Sequence, residues 1–149
     1  MASPPCPLCA SAETREFHRD RLRTYLRCPR CLLTFVPTEA HLDPRAEKAR
    51  YDLHQNDPHD PRYRAHLTRL ADPLLAKLAP GTRGLDYGAG PGPTLHLLFQ
   101  ERGHPMAIYD PFYAPDAAAL ARTYDFVTCT ETAEHFRRPG EEFARLRAL

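Results

Sequence analysis

Hydrophobic and polar positions change their period three times along the chain, and each change predicts a different kind of element. Glu16-Phe17-His18 leads into a polar turn at Arg19-Asp20, and Thr24-Tyr25-Leu26-Arg27 reads as a strand. Leu32-Leu33-Thr34-Phe35-Val36 reads as a strand closing the same small sheet. From Pro37 to Pro80 the spacing turns helical and is punctuated by proline. Pro44 to Leu53 predicts one helix, and Pro61 to Leu70 followed by Pro73 to Leu78 predicts a second with a kink or break. The intervening His54-Gln55-Asn56-Asp57-Pro58-His59-Asp60-Pro61 is a polar turn dense in donors and acceptors. Tyr51 and His54, three residues apart, share a helix face that offers a phenol and an imidazole to a ligand or to solvent. Gly84 to Leu98 then reads as a short strand, a glycine turn and an amphipathic helix.

Composition narrows the class. Of 149 residues 42% are hydrophobic and 26% charged, with 20 Lys and Arg against 19 Asp and Glu, as in a globular protein of one or two small domains. The sixteen prolines favour turns and short elements. Apolar runs are only a few residues long and the N-terminus lacks the basic and apolar regions of a signal peptide, so the expectation is a cytoplasmic protein with no membrane partner. The near-neutral balance does not suggest a general coat for phosphate backbones, although Arg15, Arg19, Arg21, Arg23, Arg27 and Arg30 form a local basic cluster. That cluster could meet an RNA, a phosphorylated substrate or only water.

Four of the five cysteines fall in two identical spacings, Cys6-Pro7-Leu8-Cys9 and Cys28-Pro29-Arg30-Cys31, separated by eighteen residues. This is the spacing of a structural zinc site, in which paired thiolate turns on adjacent hairpins make a zinc ribbon. Two disulfides or two redox-active pairs are the alternative, which a reducing compartment disfavours. Four thiolates leave no open coordination position, so the ion would be structural. Cys129 stands apart in an apolar stretch.

The glycine run departs from the dinucleotide fingerprint, because Pro93 occupies the third glycine position and Asp86 precedes the first glycine by two. Asp86-Tyr87-Gly88-Ala89-Gly90-Pro91-Gly92 instead resembles the first motif of class I S-adenosylmethionine-dependent methyltransferases. Met106-Ala107-Ile108-Tyr109-Asp110 looks like that family's second strand with its terminal acid, and Tyr124 to Glu131 like its fourth. Thr132-Ala133-Glu134-His135-Phe136 is similar to its Glu-His segment, and Pro139 to Leu149 to the start of the next helix. Arg50-Tyr51 and His54-Gln55-Asn56-Asp57 also look like the helical cap of bacterial members that carry a zinc ribbon.

The resemblance implies an α/β chain with a Rossmann-like methyltransferase sheet, its strands ordered second, first, fourth. A four-cysteine zinc ribbon would occupy residues 1–37, a helical cap 38–80 and the cofactor-binding part 81–149. S-adenosylmethionine would be held by Asp86, Tyr87, Gly88, Ala89, Gly90, Gly92, Asp110, Thr130 and Glu131, with Tyr51 and His54 closing from the cap. Asp86 would hold the amino group and Asp110 both ribose hydroxyls. His135 and Glu131 are the candidate bases. The methyl acceptor would be a small molecule, a sugar or an RNA. Only thirteen residues separate Asp110 from Tyr124, too few for the family's second helix and third strand, so Asp116 is a weak substitute for the adenine-side acid. The family would also continue beyond Leu149 into further strands. The chain thus reads as a truncated product, a fragment or a chain completed by a partner, with an open sheet edge prone to self-association. The competing reading is a non-catalytic ribbon that binds nucleic acid or protein beside a vestigial cofactor fold.

Overall fold

The structure, a computed structural model, describes residues 3–149. The chain divides into two compact units, one formed by residues up to Pro44 with His135–Arg147, the other by Arg45–Glu134 with the last two residues.

In the first unit β1 (Arg15–Arg19), β2 (Thr24–Arg27) and β3 (Thr34–Phe35) form an antiparallel sheet in that order. The β1–β2 turn is organised by Asp20, whose carboxylate accepts from the amides of Leu22 and Arg23, each at 2.7 Å, and from the Tyr25 hydroxyl at 2.9 Å. These bonds hold its pKa below the ordinary carboxylate value. The closing strand is shorter than its apolar run predicts. Leu32 has φ 64° and donates its amide to the Cys28 carbonyl, while Leu33 O accepts from Cys28 N, so both residues complete the second cysteine turn rather than extend β3. The helix Pro139–Ala148, α4 in chain order, begins against the first cysteine turn. Gly140 N donates to Pro7 O, and a Cβ on Gly140 would lie 2.8 Å from Leu8 O.

The second unit contains α1 (Pro44–Tyr51), whose first residue belongs to the other unit, α2 (Pro61–Leu75) and α3 (Leu95–Gln100). Its strands are β4 (Gly84–Tyr87), β5 (Met106–Tyr109) and β6 (Phe126–Thr128). They run parallel in the order β5-β4-β6, the order that the resemblance implies. Between β5 and β6 lie an isolated bridge between Asp110 and Ala114 and a 3-10 turn at Ala119–Ala121. α1 stops at Tyr51, short of Leu53, because Leu53 N and His54 N turn to carbonyls three residues back. α2 starts on Asp60, which accepts from Arg62 N at 2.8 Å, with Pro61 in the first turn.

Pro73 does not break α2 as predicted. It is the third residue from the C-terminal end, so only two helical residues follow the N–H it removes, and the helix runs through it to Leu75. Leu67 and Ala71 of α2 bury against Leu95 and Phe99 of α3, and Met106 and Phe126 close over them. Gly84 makes this closure possible, since a Cβ there would lie 2.4 Å from the Phe126 ring and 2.5 Å from Met106 Sδ. No helix among the described residues is long and apolar enough to cross a membrane.

Candidate cofactor site and cysteine cluster

The carboxyl ends of β4, β5 and β6 gather the residues that the sequence nominates in the second unit. Asp86 is buried inside β4, and its Oδ1 accepts from the Thr128 hydroxyl of β6 at 2.8 Å. Burial raises its pKa to about 6, against the smaller opposing effect of the Thr128 bond. Tyr63 of α2 lies within electrostatic reach of the same carboxylate, and its phenol is raised first by burial and then by the Asp86 charge. Sequence reasoning missed both Tyr63 and Thr128; a half-buried tyrosine on the apolar face of α2 carried no signal of its own.

The glycine turn after β4 is fastened to the end of β5. Gly88 N and Ala89 N both donate to Tyr109 O, at 2.7 and 3.2 Å, and Gly90 N donates to Asp110 Oδ2 at 2.9 Å. Three successive amides therefore point inward, and none is left to cradle a phosphate. Gly88 (φ 79°) and Gly90 (φ 69°) both have left-handed backbones. A Cβ on Gly88 would strike Thr132 at 2.2 Å, and one on Gly92 would strike Asn56 O at 2.1 Å, whereas Gly90 faces open space. The polar turn between α1 and α2 thus lies directly against the glycine turn.

Asp110 is buried and takes three amide bonds: Phe112 N and Tyr113 N on Oδ1, at 2.8 and 3.0 Å, and Gly90 N on Oδ2. A carboxylate oxygen accepts about two hydrogen bonds, so Oδ1 is full and Oδ2 has one place left. In this arrangement the carboxylate has room for one further donor; a second must displace an amide. Asp116 is exposed, and its Oδ1 accepts from Ala118 N in the turn before β6.

Tyr51 packs its ring 5.9 Å from Phe112 and edge-on to His54 at 6.0 Å. Its hydroxyl donates to Glu47, and its pKa is pushed up to about 12 by burial first and then by Glu47, Asp110 and Glu134. Tyr113 donates to Asp52 at 2.6 Å and lies under the Lys48 ammonium. Beyond β6, Thr130 Oγ1 is buried without a partner among the described residues. Glu131 is exposed with φ 53°, a left-handed backbone that costs a non-glycine residue about 1 kcal/mol or more. Tyr87 is buried, its ring 5.1 Å from Tyr109. His135 belongs to the first unit.

Ionisation of Asp86 carries a pH prediction. A carboxyl raised in the fold from 3.8 to about 6 adds stability below pH 4, and this is lost as pH climbs through 6, by up to about 3 kcal/mol. Asp86→Asn should flatten the fall in urea stability between pH 4 and 6.5; identical pH slopes for the two proteins would refute the assignment.

In the first unit the four thiols Cys6, Cys9, Cys28 and Cys31 lie within 4.8 Å of one another and are unbridged. Cys6 and Cys31 are 3.5 Å apart, and Cys9 and Cys28 3.6 Å, close to the ~3.8 Å of thiolates around one tetrahedral zinc and far beyond a disulfide. The two turns repeat each other. Ala10 (φ 57°) and Leu32 (φ 64°) occupy the same left-handed position, with Ala10 N and Leu32 N bonded to Cys6 O and Cys28 O. The amides of Cys31 and Arg30 lower the Cys28 thiol to about 6. The donor set fits one metal ion.

Residues 43–149 match the family described as methyltransferase domain. No curated protein and no solved structure matches the chain. This family match and the parallel β5-β4-β6 sheet fit a class I, Rossmann-like methyltransferase domain. The chain belongs to the methyltransferase-domain family, whose members use S-adenosylmethionine.

Proposed function

We propose that the second unit binds S-adenosylmethionine at the carboxyl ends of its three strands and transfers the methyl group to a small-molecule, sugar or RNA acceptor. In the same reading the first unit is a zinc ribbon holding one structural ion on Cys6, Cys9, Cys28 and Cys31. The observation that carries the cofactor reading is the inward turn of the Gly88, Ala89 and Gly90 amides beside the buried Asp86. A loop of this kind suits an amino group and a ribose rather than a pyrophosphate, which separates it from nicotinamide binding. Bound S-adenosylmethionine supplies a methyl group already activated by its sulfonium.

The residues supply position and charge. The Asp86 carboxylate would be stabilised as the cofactor's ammonium approaches, because an opposite charge favours the ionised form that burial disfavours. The last place on Asp110 Oδ2 would take a ribose hydroxyl, and the unpartnered Thr130 hydroxyl would donate or accept within the pocket. Tyr51, His54 and Phe112 would form the wall on the cap side. Glu131 is the candidate to remove a proton from the acceptor, while His135 has the family resemblance alone behind it.

Calorimetric titration of the zinc-loaded chain with S-adenosylhomocysteine tests this reading, with NAD and NADP as comparators. Saturable one-to-one binding of the first and no heat from the others is expected. Absence of heat from a folded chain would defeat the enzyme reading and favour the non-catalytic one.

A further inference from the structure

The first unit carries a surface that methyl transfer does not use. β1 is exposed along its whole length and forms one edge of the small sheet. Its register with β2 slips between Glu16 and His18, where two residues stand opposite one. A bulge of this kind re-aims side chains, here bringing neighbouring Phe17 and His18 to one face. Arg15 stands opposite Arg27, the Arg27 guanidinium lies 5.0 Å over the Phe17 ring, and the His18 ring is 5.8 Å from that of Tyr25. Arg15, Phe17, His18, Tyr25 and Arg27 therefore share one face of the hairpin. The opposite face carries buried Leu26 and the Glu16–Arg19 ion pair. Phe17 remains 56% exposed although it has a partner.

We propose that this face binds single-stranded nucleic acid, its rings stacking on unpaired bases and its guanidiniums meeting the phosphates. Charge and shape both point to that occupant. Between Glu13 and Cys31 there are six arginines against three carboxylates, in a chain whose overall balance is only +1. Bare phosphate attraction needs no exposed aromatic rings, whereas unstacked bases gain from each one. The bulge also gives the edge strand an irregular backbone, which suits it poorly to pairing with a protein strand.

The test titrates labelled twelve-nucleotide oligo(U) and oligo(dT) into the purified zinc-loaded chain and reads anisotropy, with a duplex and heparin as competitors. Phe17→Ala should weaken both single strands about tenfold or more. Arg15→Ala and Arg27→Ala should weaken them and flatten the salt dependence by about 0.7 per lost contact. Arg19→Ala, on the other face, should change affinity less than twofold. The chain has no tryptophan, so Phe17→Trp makes a single reporter whose fluorescence should be quenched by the strand at undiminished affinity. A preference between oligo(U) and oligo(dT) identifies the natural strand, and equal binding supports stacking common to both. No binding at low salt would overturn the proposal. So would tighter binding of duplex or heparin, or a Phe17→Ala variant that matches the parent chain. Cofactor binding in the second unit is read separately, so failure here leaves that reading intact.

Discussion

Stripping the metal from the four-cysteine cluster is expected to collapse the β1–β2–β3 sheet. Buried side chains among the described residues of the first unit are few: Cys6, Thr14, Leu26, Cys28 and Pro139, two of them from the cysteine cluster. A core of that size cannot offset the chain entropy of ordering these segments, whereas binding of a structural zinc contributes on the order of 10 kcal/mol or more. Amide resonances of Thr24, Tyr25 and Leu26 report on the sheet directly. They should lose dispersion when a strong chelator is added and regain it with one equivalent of zinc. Cys28→Ser should give the collapsed spectrum whatever the zinc concentration, because Cys28 is fully buried and no oxygen there replaces its thiolate. Cys129→Ser, outside the cluster, should keep one ion per chain. A sheet that keeps its resonances with no metal detectable would show that thiol packing alone sustains it.

Features set by local chemistry were legible before any coordinates. A Cys-Pro-x-Cys turn is fixed by neighbouring residues, so two copies could be read as converging thiols, and the 3.5 and 3.6 Å separations agree with one metal site. The strand, glycine turn and helix from Gly84 onward were legible because glycine at positive φ is a local requirement. What stayed hidden depends on contacts distant in sequence. Nothing in the order of residues says that Tyr109 O captures two amides of the glycine turn, that Thr128 bonds to Asp86, or that Tyr63 feels its charge. The bulge at Phe17 was equally invisible, since a one-residue slip depends on how β2 pairs, and it decides which side chains share a face. Leu32 and Leu33 show the reverse error. Their apolar character suggested a strand, but the left-handed position after Cys31 took them into the cysteine turn.

Asp110→Ala is expected to abolish measurable S-adenosylhomocysteine binding, a loss of at least a hundredfold, and to lower stability as well. The two effects have separate causes. Alanine orphans the amides of Gly90, Phe112 and Tyr113, and losing charge-assisted bonds at a buried carboxylate costs about 3 kcal/mol or more. It also removes one of the three bonds that fasten the glycine turn to the end of β5, leaving the two to Tyr109 O, and removes the acceptor assigned to the ribose. Asp110→Asn separates these effects. Its carbonyl oxygen can still take Phe112 N and Tyr113 N, restoring the turn after β5, but its NH2 then faces Gly90 N–H and replaces the charged acceptor assigned to the ribose hydroxyl by a neutral donor. Stability should therefore fall in the order parent, asparagine, alanine, read by urea denaturation, while calorimetry finds binding lost in both variants. An asparagine variant that binds like the parent would remove Asp110 from the cofactor site and leave it a fastener of the glycine turn. Pocket occupancy would then rest on Asp86, whose buried carboxyl has accepting capacity beyond the Thr128 bond and a charge that an ammonium would stabilise.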